Sequence, residues 1–278
     1  MKCNVMNGAL LLATLCITVG ILTHEVHGGV LTSIKPKSCL EIRYSTENKT
    51  AINGFYAIHT DATKVQPVYC DFQSDPPFVW TLVESFTRTR GVYTSKIPGS
   101  ISFHKPYYYN YPYNDCSPQF KAYRLNRPTM MSIYKAPRTT HWRATCNFDK
   151  IKKYPMSHKD YIRNSICRYD ILNIYSAQPG CYFVDYLNVR GHTCRNCQVP
   201  IYVAPSYHVN FMSSRSYYYC QKWKFPSEFT FNPPESNFGY YYRYSVEHEC
   251  TSSKDATTNY WFGGIYQPSN KLINYSLL

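Results

Sequence analysis

The sequence predicts a β-rich α+β fold with long surface loops. Aromatic residues make up 17% of the 278 residues and hydrophobic residues 44%, so the chain has enough apolar surface for a packed core and lacks the composition of a disordered protein. From Asn53 onward, short β-branched and aromatic runs alternate with Pro, Gly, Asn and Ser, as in domains built from many short strands. No repeat at a solenoid or propeller period is present.

The strand pattern recurs along most of the chain. The segments that carry it are GFYAIHT (54–60), PVYCDF (67–72), FVWTLVESF (78–86), MMSIYKA (130–136), HWRATCNF (141–148), YDILNIYS (169–176), CYFVDYLNV (181–189) and YYYRYSVEHEC (240–250). The best helix candidate is KDYIRNSICRYDI (159–171), which is short and has few strong helix formers. Prolines concentrate between residues 75 and 130, where we expect long surface loops rather than a domain linker.

Residues 1–28 predict a secretory signal peptide. Lys2 precedes a run of about 15 mostly apolar residues, and the small-residue pattern Val26-His27-Gly28 follows before Gly29. The apolar run is shorter than the roughly 20 residues that a membrane-spanning helix needs, although a signal anchor is the alternative interpretation. We therefore expect residues 29–278 to be secreted, with no membrane span in the mature chain.

The cysteine count predicts a disulfide framework. Of the 12 cysteines, Cys3 and Cys16 would leave with the signal peptide, and the remaining ten (12 − 2 = 10) form an even set in an oxidising compartment. We expect these cysteines to be paired, with partners that the sequence leaves open: Cys39, Cys70, Cys116, Cys146, Cys167, Cys181, Cys194, Cys197, Cys220 and Cys250. Cys194 and Cys197 also match half of a zinc site, but no second such pair is present.

The expected surface is basic and glycosylated. The formal net charge is +13, which attracts polyanions, and Lys150, Lys152 and Lys153 form a cluster that would bind them. Because a secreted chain does not meet nucleic acid, we expect acidic matrix proteins or glycans as partners; a charge that serves only solubility is the alternative. Asn48 and Asn274 begin N-glycosylation sequons, which favours exposure of both segments.

The 29 tyrosines include a dense group in PYYYNYPYN (106–114). Pro106 and Pro112 interrupt any strand ladder there, which favours exposure of Tyr107, Tyr108 and Tyr109. An exposed tyrosine offers an apolar face beside a hydroxyl, so these residues are candidates for stacking on sugar rings or for oxidative cross-linking in a matrix. The alternative is that such tyrosines fill a core.

Four motifs between residues 35 and 86 resemble the start of the fibrinogen C-terminal domain family. They are Cys-Leu-Glu-Ile (39–42), Gly-Phe-Tyr-Ala-Ile (54–58), Tyr-Cys-Asp-Phe (69–72) and Trp-Thr-Leu-Val (80–83). The resemblance implies that 29–278 is one fibrinogen-related domain with a disulfide-tied N-terminal subdomain. It also implies a bridge from Cys39 to Cys70, which would stabilise the folded state by roughly 3 to 4 kcal/mol in the chain-entropy model. The family's glycine run is replaced here by Asp-Pro-Pro-Phe-Val (75–79), so this loop must differ.

Two further segments resemble the intelectin branch of fibrinogen-related lectins. They are THWRATCNF (140–148) and the segment that contains EHEC (247–250). The resemblance implies a calcium-dependent sugar site whose candidate ligands are Glu247, His248 and Glu249. On a strand, however, Glu247 and Glu249 would share one face and His248 the other, which argues against three ligands to one ion.

Enzymatic activity is not expected. The sequence has no Gly-x-Ser-x-Gly elbow, no His-Glu-x-x-His and no glycine-rich phosphate loop, and its 17 acidic residues show no pairing typical of a general acid and base. Calcium is the one cofactor that a resemblance implies.

The whole chain, with its signal peptide, fibrinogen-like start and tyrosine-rich basic body, also resembles proteins of the organic matrix of stony coral skeletons. This implies a structural or adhesive protein of a calcified extracellular matrix that contacts acidic or glycan partners. The alternative is a soluble, intelectin-like lectin of innate recognition. Because mineral nucleators concentrate carboxylates and this chain has few, a framework or adhesive role fits the charge better than calcium capture.

Overall fold

The structure is a computed structural model. It describes residues 35–46, 50–61, 63–91, 97, 99–150, 160–175, 177–204, 207–211, 238–239, 246 and 248–268. The predicted signal peptide and the predicted site residues Asn48, Lys152, Lys153, Cys220, Glu247 and Asn274 lie outside this range, as does most of the predicted strand 240–250. Among the described residues, no helix combines the length and the apolar character that crossing a membrane would require.

One antiparallel sheet organises the described part of the chain. Its strands are β1 (Gly54–His59), β2 (Val65–Asp71), β3 (Phe78–Thr87), β4 (Ala122–Arg124), β5 (His141–Cys146), β6 (Tyr161–Ser165), β7 (Ala177–Val189), β8 (His192–Ala204), β9 (Tyr207–Phe211) and β10 (Thr257–Ile265). The order across the sheet is β1-β2-β3-β10-β5-β6-β7-β8-β9, and β4 pairs with β3. The predicted β-rich class is confirmed. The late strand β10 lies between β3 and β5, so distant segments of the chain meet at its centre.

The helices are short and lie on the connections. They are α1 (Cys39–Ser45), α2 (Arg88–Gly91), α3 (Ser100–His104) and α4 (Arg127–Tyr134), with single 3₁₀ turns at Phe148–Lys150 and Glu249–Thr251. Helix α1 begins after Ser38, whose hydroxyl accepts from the Glu41 backbone N–H at 3.2 Å. The Cys39–Cys70 disulfide joins α1 to β2, so the bridge that the fibrinogen resemblance implies is present.

The prediction of a strand at MMSIYKA was wrong, because this segment belongs to helix α4. The Asn126 side chain caps the helix by accepting from the Thr129 N–H at 2.9 Å, and Pro128 occupies the first turn, where its missing N–H costs nothing. Met130 and Ile133, three residues apart, are both buried. The cap and the proline outweigh the strand preference of the residues that follow.

The helix prediction at KDYIRNSICRYDI was also wrong. Its first half forms β6, which pairs with β5 on one side and β7 on the other, so sheet contacts on both edges override the local preference. The predicted strand YDILNIYS is instead a series of turns. The Asp170 carboxylate accepts from the backbone N–H groups of Leu172 and Asn173, both at 3.1 Å, and this local bonding competes with strand pairing.

Strands β7 and β8 form a long hairpin with a two-residue turn. Arg190 and Gly191 both have positive φ, 53° and 82°, which is the type I′ geometry that matches the twist of paired strands. The glycine supplies one of these angles without strain. The Cys194–Cys197 disulfide lies within strand β8.

A buried arginine lies at the centre of the sheet. Arg143 of β5 is fully buried, and its Nη2 donates to Asp71 Oδ2 at 2.5 Å. Its guanidinium carbon is 4.7 Å from the ring centroid of Trp80 on β3 and 4.6 Å from that of Trp261 on β10. Burial alone would raise the pKa of the Asp71 carboxyl, but the charge of Arg143 and the hydrogen bonds from Ser74 outweigh burial, so this pKa is lowered.

Replacement of Arg143 should destabilise the fold strongly. Arg143→Met leaves the Asp71 carboxylate buried without its cation, which costs about 3 to 5 kcal/mol of the free energy of unfolding. Urea unfolding would measure this. The control is Arg163→Met, which removes a guanidinium that is 16% exposed and lies 3.4 Å from Asp75. Asp75 keeps Arg143 and the Tyr161 hydroxyl as partners, so we expect a smaller loss of about 1 to 2 kcal/mol. Equal losses for the two variants would contradict the central role of Arg143.

The pH dependence of the free energy of unfolding should reflect the lowered pKa of Asp71. The pKa of Asp71 is lower in the folded chain than the value of about 3.9 in the unfolded chain. The ionised carboxylate therefore contributes fully to the free energy of unfolding above about pH 3.9, and this contribution is lost as the pH falls through the folded pKa. We expect the difference in unfolding free energy between the parent and Asp71→Asn to be constant from neutral pH to about pH 4.5 and to shrink below it. A difference that changes mainly near neutrality would contradict the assignment.

Candidate functional site

Four tyrosines form an exposed cluster with two cations, and we call it the tyrosine platform. Its members are Tyr108, Tyr109, Tyr111, Tyr175, Lys105 and Arg127. The ring centroids of Tyr108 and Tyr175 are 5.4 Å apart, those of Tyr109 and Tyr175 are 5.7 Å apart, and Tyr111 lies 6.3 Å from Tyr109. Tyr108, Tyr111 and Tyr175 are 45%, 38% and 49% exposed. Connected aromatic rings of this exposure form a surface on which a ligand can stack.

A buried arginine, Arg124, bonds the core side of the loop that contains Tyr108, Tyr109 and Tyr111. Arg124 of β4 forms an ion pair with Glu84 of β3 at 3.3 Å, and both side chains are buried. The same guanidinium donates to the carbonyl oxygens of Lys105 at 2.6 Å, Pro106 at 3.0 Å and Tyr109 at 3.4 Å. Charge-assisted bonds to several successive carbonyls fix the path of this loop, and the side chains on its outer side are therefore presented to solvent.

Tyr107 does not belong to the exposed surface, and its prediction as a ligand-binding residue was wrong. It is 0% exposed, and its hydroxyl donates to the Glu84 carboxylate. Burial and the Glu84 charge raise the pKa of the Tyr107 hydroxyl well above its usual value, so it remains a neutral donor. Tyr107 points inward because Arg124 and Glu84 offer it a polar partner in the core, whereas the next residue, Tyr108, points outward.

Arg127 joins the segments of the platform. Its Nε donates to the Tyr108 carbonyl and its Nη2 to Asn173 Oδ1, both at 2.8 Å, while its backbone N–H donates to Asn110 Oδ1 at 2.8 Å. The guanidinium carbon lies 5.5 Å from the Tyr108 ring centroid. Arg127 therefore connects the start of α4, the tyrosine loop and the turn that ends in Tyr175.

The platform has two cations, Lys105 and Arg127, beside its tyrosine rings. Lys105 Nζ lies 5.6 Å from the Tyr109 ring centroid. A hydrogen bond with Tyr175 is the main cause that raises the pKa of the Tyr109 hydroxyl, with burial second, so this phenol stays neutral. Aromatic faces beside a lysine, an arginine and two asparagine amides suit a ligand that combines a sugar ring with an anionic group. The sequence indicated Tyr108 and Tyr109 but missed Tyr111, Tyr175, Lys105 and Arg127, since their proximity depends on the loop path.

Of the predicted calcium ligands, His248 and Glu249 lie within the described residues. His248 is fully buried beside the Cys146–Cys250 disulfide. Cys146, His248 and Cys250 lie within 4.8 Å of one another, but the two sulfurs are bonded to each other and so provide no thiolate for a metal. The Glu249 backbone N–H donates to Asp160 Oδ2 at 2.5 Å. The calcium site stays a prediction, because Glu247 lies outside the described residues.

Only one residue of the predicted lysine cluster lies within the described range. Lys150 is exposed, and its Nζ donates to the Asp255 carbonyl at 3.0 Å. Lys152 and Lys153 lie outside the described residues, so polyanion binding by this cluster stays a prediction.

The expected disulfide framework has one exception among the described cysteines. Cys39–Cys70, Cys146–Cys250 and Cys194–Cys197 are bridged, and Cys116 and Cys181 are also disulfide-bonded. Cys167 instead carries a free, exposed thiol, so its expected pairing was wrong. It lies in the turn after β6, which leaves its side chain on the surface rather than against another described cysteine.

A concave surface lies beside the β7–β8 hairpin. This groove has a volume of about 490 Å³ and is lined by Arg168, Cys181, Tyr182, Phe183 and Asn196. Arg168 is the one cationic residue among the described residues of this lining, and it bonds Asp185 Oδ1 and Asn196 Oδ1, both at 2.9 Å. The platform therefore offers more exposed aromatic surface and an additional cation, and it is the better candidate site.

No protein-family model matches the sequence, and no relative is found among curated proteins. The function must therefore be argued from the residues and geometry of this chain.

Adjacent tyrosines should respond differently to loss of the hydroxyl group. Tyr107→Phe removes a donor to a buried carboxylate and should cost roughly 1.5 to 3 kcal/mol of the free energy of unfolding, the range for hydrogen bonds to charged groups. Tyr108→Phe changes an exposed residue and should leave stability within about 0.5 kcal/mol of the parent. Urea unfolding of both variants would measure the difference. Equal effects would show that the loop does not separate a buried from an exposed tyrosine.

Proposed function

We propose that the protein is a secreted, non-enzymatic adhesive component of an extracellular matrix that binds acidic glycans through the tyrosine platform. The observation that carries this proposal is the exposure of connected tyrosine rings beside Lys105 and Arg127. In this proposal the domain is fibrinogen-related, and the Cys39–Cys70 bridge between α1 and β2 supports that relationship. The calcified skeletal setting rests on the resemblance of the whole chain to coral matrix proteins.

The chemistry of the platform favours an anionic sugar over a neutral one. The apolar face of a pyranose ring stacks on tyrosine, and the hydroxyl groups at its rim bond asparagine amides such as those of Asn110 and Asn173. A sulfate or carboxylate on the same sugar would lie near Lys105 and Arg127, where charge-assisted bonds are stronger than neutral ones. The formal net charge of +13 adds long-range attraction for a polyanionic chain.

The rigidity of the platform supports binding with little reorganisation. Arg124 fixes the tyrosine loop from the core side, and Arg127 fixes it to the turn that carries Tyr175. A surface whose side chains are already ordered loses less conformational entropy when a ligand binds. An adhesive protein gains from this property, because many weak contacts along one polymer then add up.

Retention on a sulfated glycan column tests the proposal. We expect the disulfide-intact protein to bind and the binding to weaken steeply with salt, since exposed charges are screened over about 10 Å at 0.1 M salt. Arg127→Gln should weaken binding about tenfold, which corresponds to about 1.4 kcal/mol for the lost charge-assisted contact. Tyr108→Ala should weaken binding as well, because the stacking face is lost.

Arg138→Gln is the matched control. Arg138 is an exposed arginine whose guanidinium carbon lies 4.2 Å from the Tyr44 ring centroid, so its replacement removes the same charge and the same type of stack away from the platform. Equal weakening by Arg127→Gln and Arg138→Gln would mean that only net charge matters, and the proposed site would be wrong. Binding that EDTA abolishes and that both variants retain would favour the calcium-dependent lectin instead.

A further inference from the structure

We propose that the tyrosine platform is a modification site at which copies of this chain are joined by oxidative coupling of Tyr108 and Tyr175 into dityrosine. The inference takes its extracellular setting from the proposed function, but it does not depend on glycan binding. The reacting partner is a second copy of the same chain, and the oxidant is hydrogen peroxide used by an extracellular haem peroxidase.

Exposure selects which tyrosines can couple. A bond between two chains requires the ortho carbons of two phenol rings to meet, so both rings must reach the surface. Tyr175 and Tyr108 are among the most exposed large hydrophobic side chains of the described residues. Tyr107, Tyr123, Tyr161 and Tyr260 have at most 1% of their surface exposed and cannot meet a neighbouring chain while the fold is intact.

Because the rings are connected, oxidation of any one of them can produce a radical on another. Each ring of the platform lies within 5.4–6.3 Å of its nearest partner, centroid to centroid, so the rings are in contact or nearly so. An electron vacancy formed on Tyr109 or Tyr111 can therefore pass to Tyr108 or Tyr175. Oxidation anywhere on the platform thus yields a radical on one of the most exposed rings.

The ring orientations favour coupling between chains over coupling within one chain. The planes of Tyr108 and Tyr175 are at 72°, and those of Tyr108 and Tyr109 at 89°, so each pair meets edge to face. A carbon–carbon bond between ortho positions needs the two rings to meet edge to edge. The outward edges of the exposed rings remain accessible to a second copy, for which no such orientation is imposed.

The reaction balances with peroxide as the two-electron oxidant. Each of two tyrosines gives up one electron and its phenolic proton, which produces two neutral tyrosyl radicals. The radicals form one bond between their ortho carbons, and the hydrogen on each of these carbons moves to the oxygen, which restores both phenols. The two electrons and two protons reduce one hydrogen peroxide to two water molecules.

The test uses the purified, disulfide-intact protein with a haem peroxidase and hydrogen peroxide, in the absence of glycan. We expect dimers that persist on a reducing gel, dityrosine fluorescence, and cross-linked peptides that contain Tyr108 or Tyr175. All samples carry Cys167→Ser, so that the exposed thiol of Cys167 does not contribute dimers. The variant Tyr108→Phe/Tyr175→Phe lacks both phenolic hydrogens and should form dimers at least about fivefold more slowly.

The matched control is Tyr44→Phe/Tyr56→Phe, which removes two partly exposed tyrosines outside the platform and should dimerise at the parent rate. Cross-linking is measured without glycan, and glycan retention is measured without peroxide, so failure of the proposed function and failure of this inference are read from separate assays. Absence of dityrosine, cross-links confined to other tyrosines, or an undiminished rate in Tyr108→Phe/Tyr175→Phe would overturn the inference. Circular dichroism of each variant establishes that the fold is retained.

Discussion

The described fold depends on one buried charge, the guanidinium of Arg143 between Trp80 and Trp261. These three residues come from β5, β3 and β10, which are far apart in the sequence and adjacent in the sheet. A buried cation is costly unless its carboxylate and its aromatic neighbours are all in place. Asp71 at the end of β2 completes the set, so a misplaced strand leaves an unpaired charge in the core. The buried ion pair therefore disfavours strand arrangements that separate Arg143 from Asp71.

A second buried arginine links this core to the surface. Arg124 forms an ion pair with Glu84 of β3, which offsets its charge. Its guanidinium also donates to carbonyl oxygens of the tyrosine loop. The interior therefore positions the start of the loop, and Arg127 adds bonds to the Tyr108 carbonyl and to Asn110 at the surface. The Tyr108 carbonyl is held by Arg127 and the carbonyls on either side of it by Arg124, so the Tyr108 side chain can change without cost to the fold. This leaves its ring available for recognition or for chemistry.

The sequence predicted the strands whose own residues favour them, such as β1, β2, β3 and β5, but it did not predict their order. The position of β10 between β3 and β5 arises from long-range pairing, and β6 is a strand only because both of its edges are occupied. The same limit applies to the site. Tyr107, Tyr108 and Tyr109 are identical in type, and only the partners that Arg124 and Glu84 provide determine which one is buried.

Some of the few acidic residues are buried partners inside the fold. The chain has only 17 acidic residues, and Asp71, Glu84 and Asp160 are buried as partners of arginines or of backbone N–H groups. Their carboxylates are unavailable to calcium, which requires six to eight oxygen ligands. The cations of the platform, Lys105 and Arg127, lie instead beside exposed rings. These three carboxylates are used inside the fold, whereas the platform presents cations and tyrosine rings together on the surface.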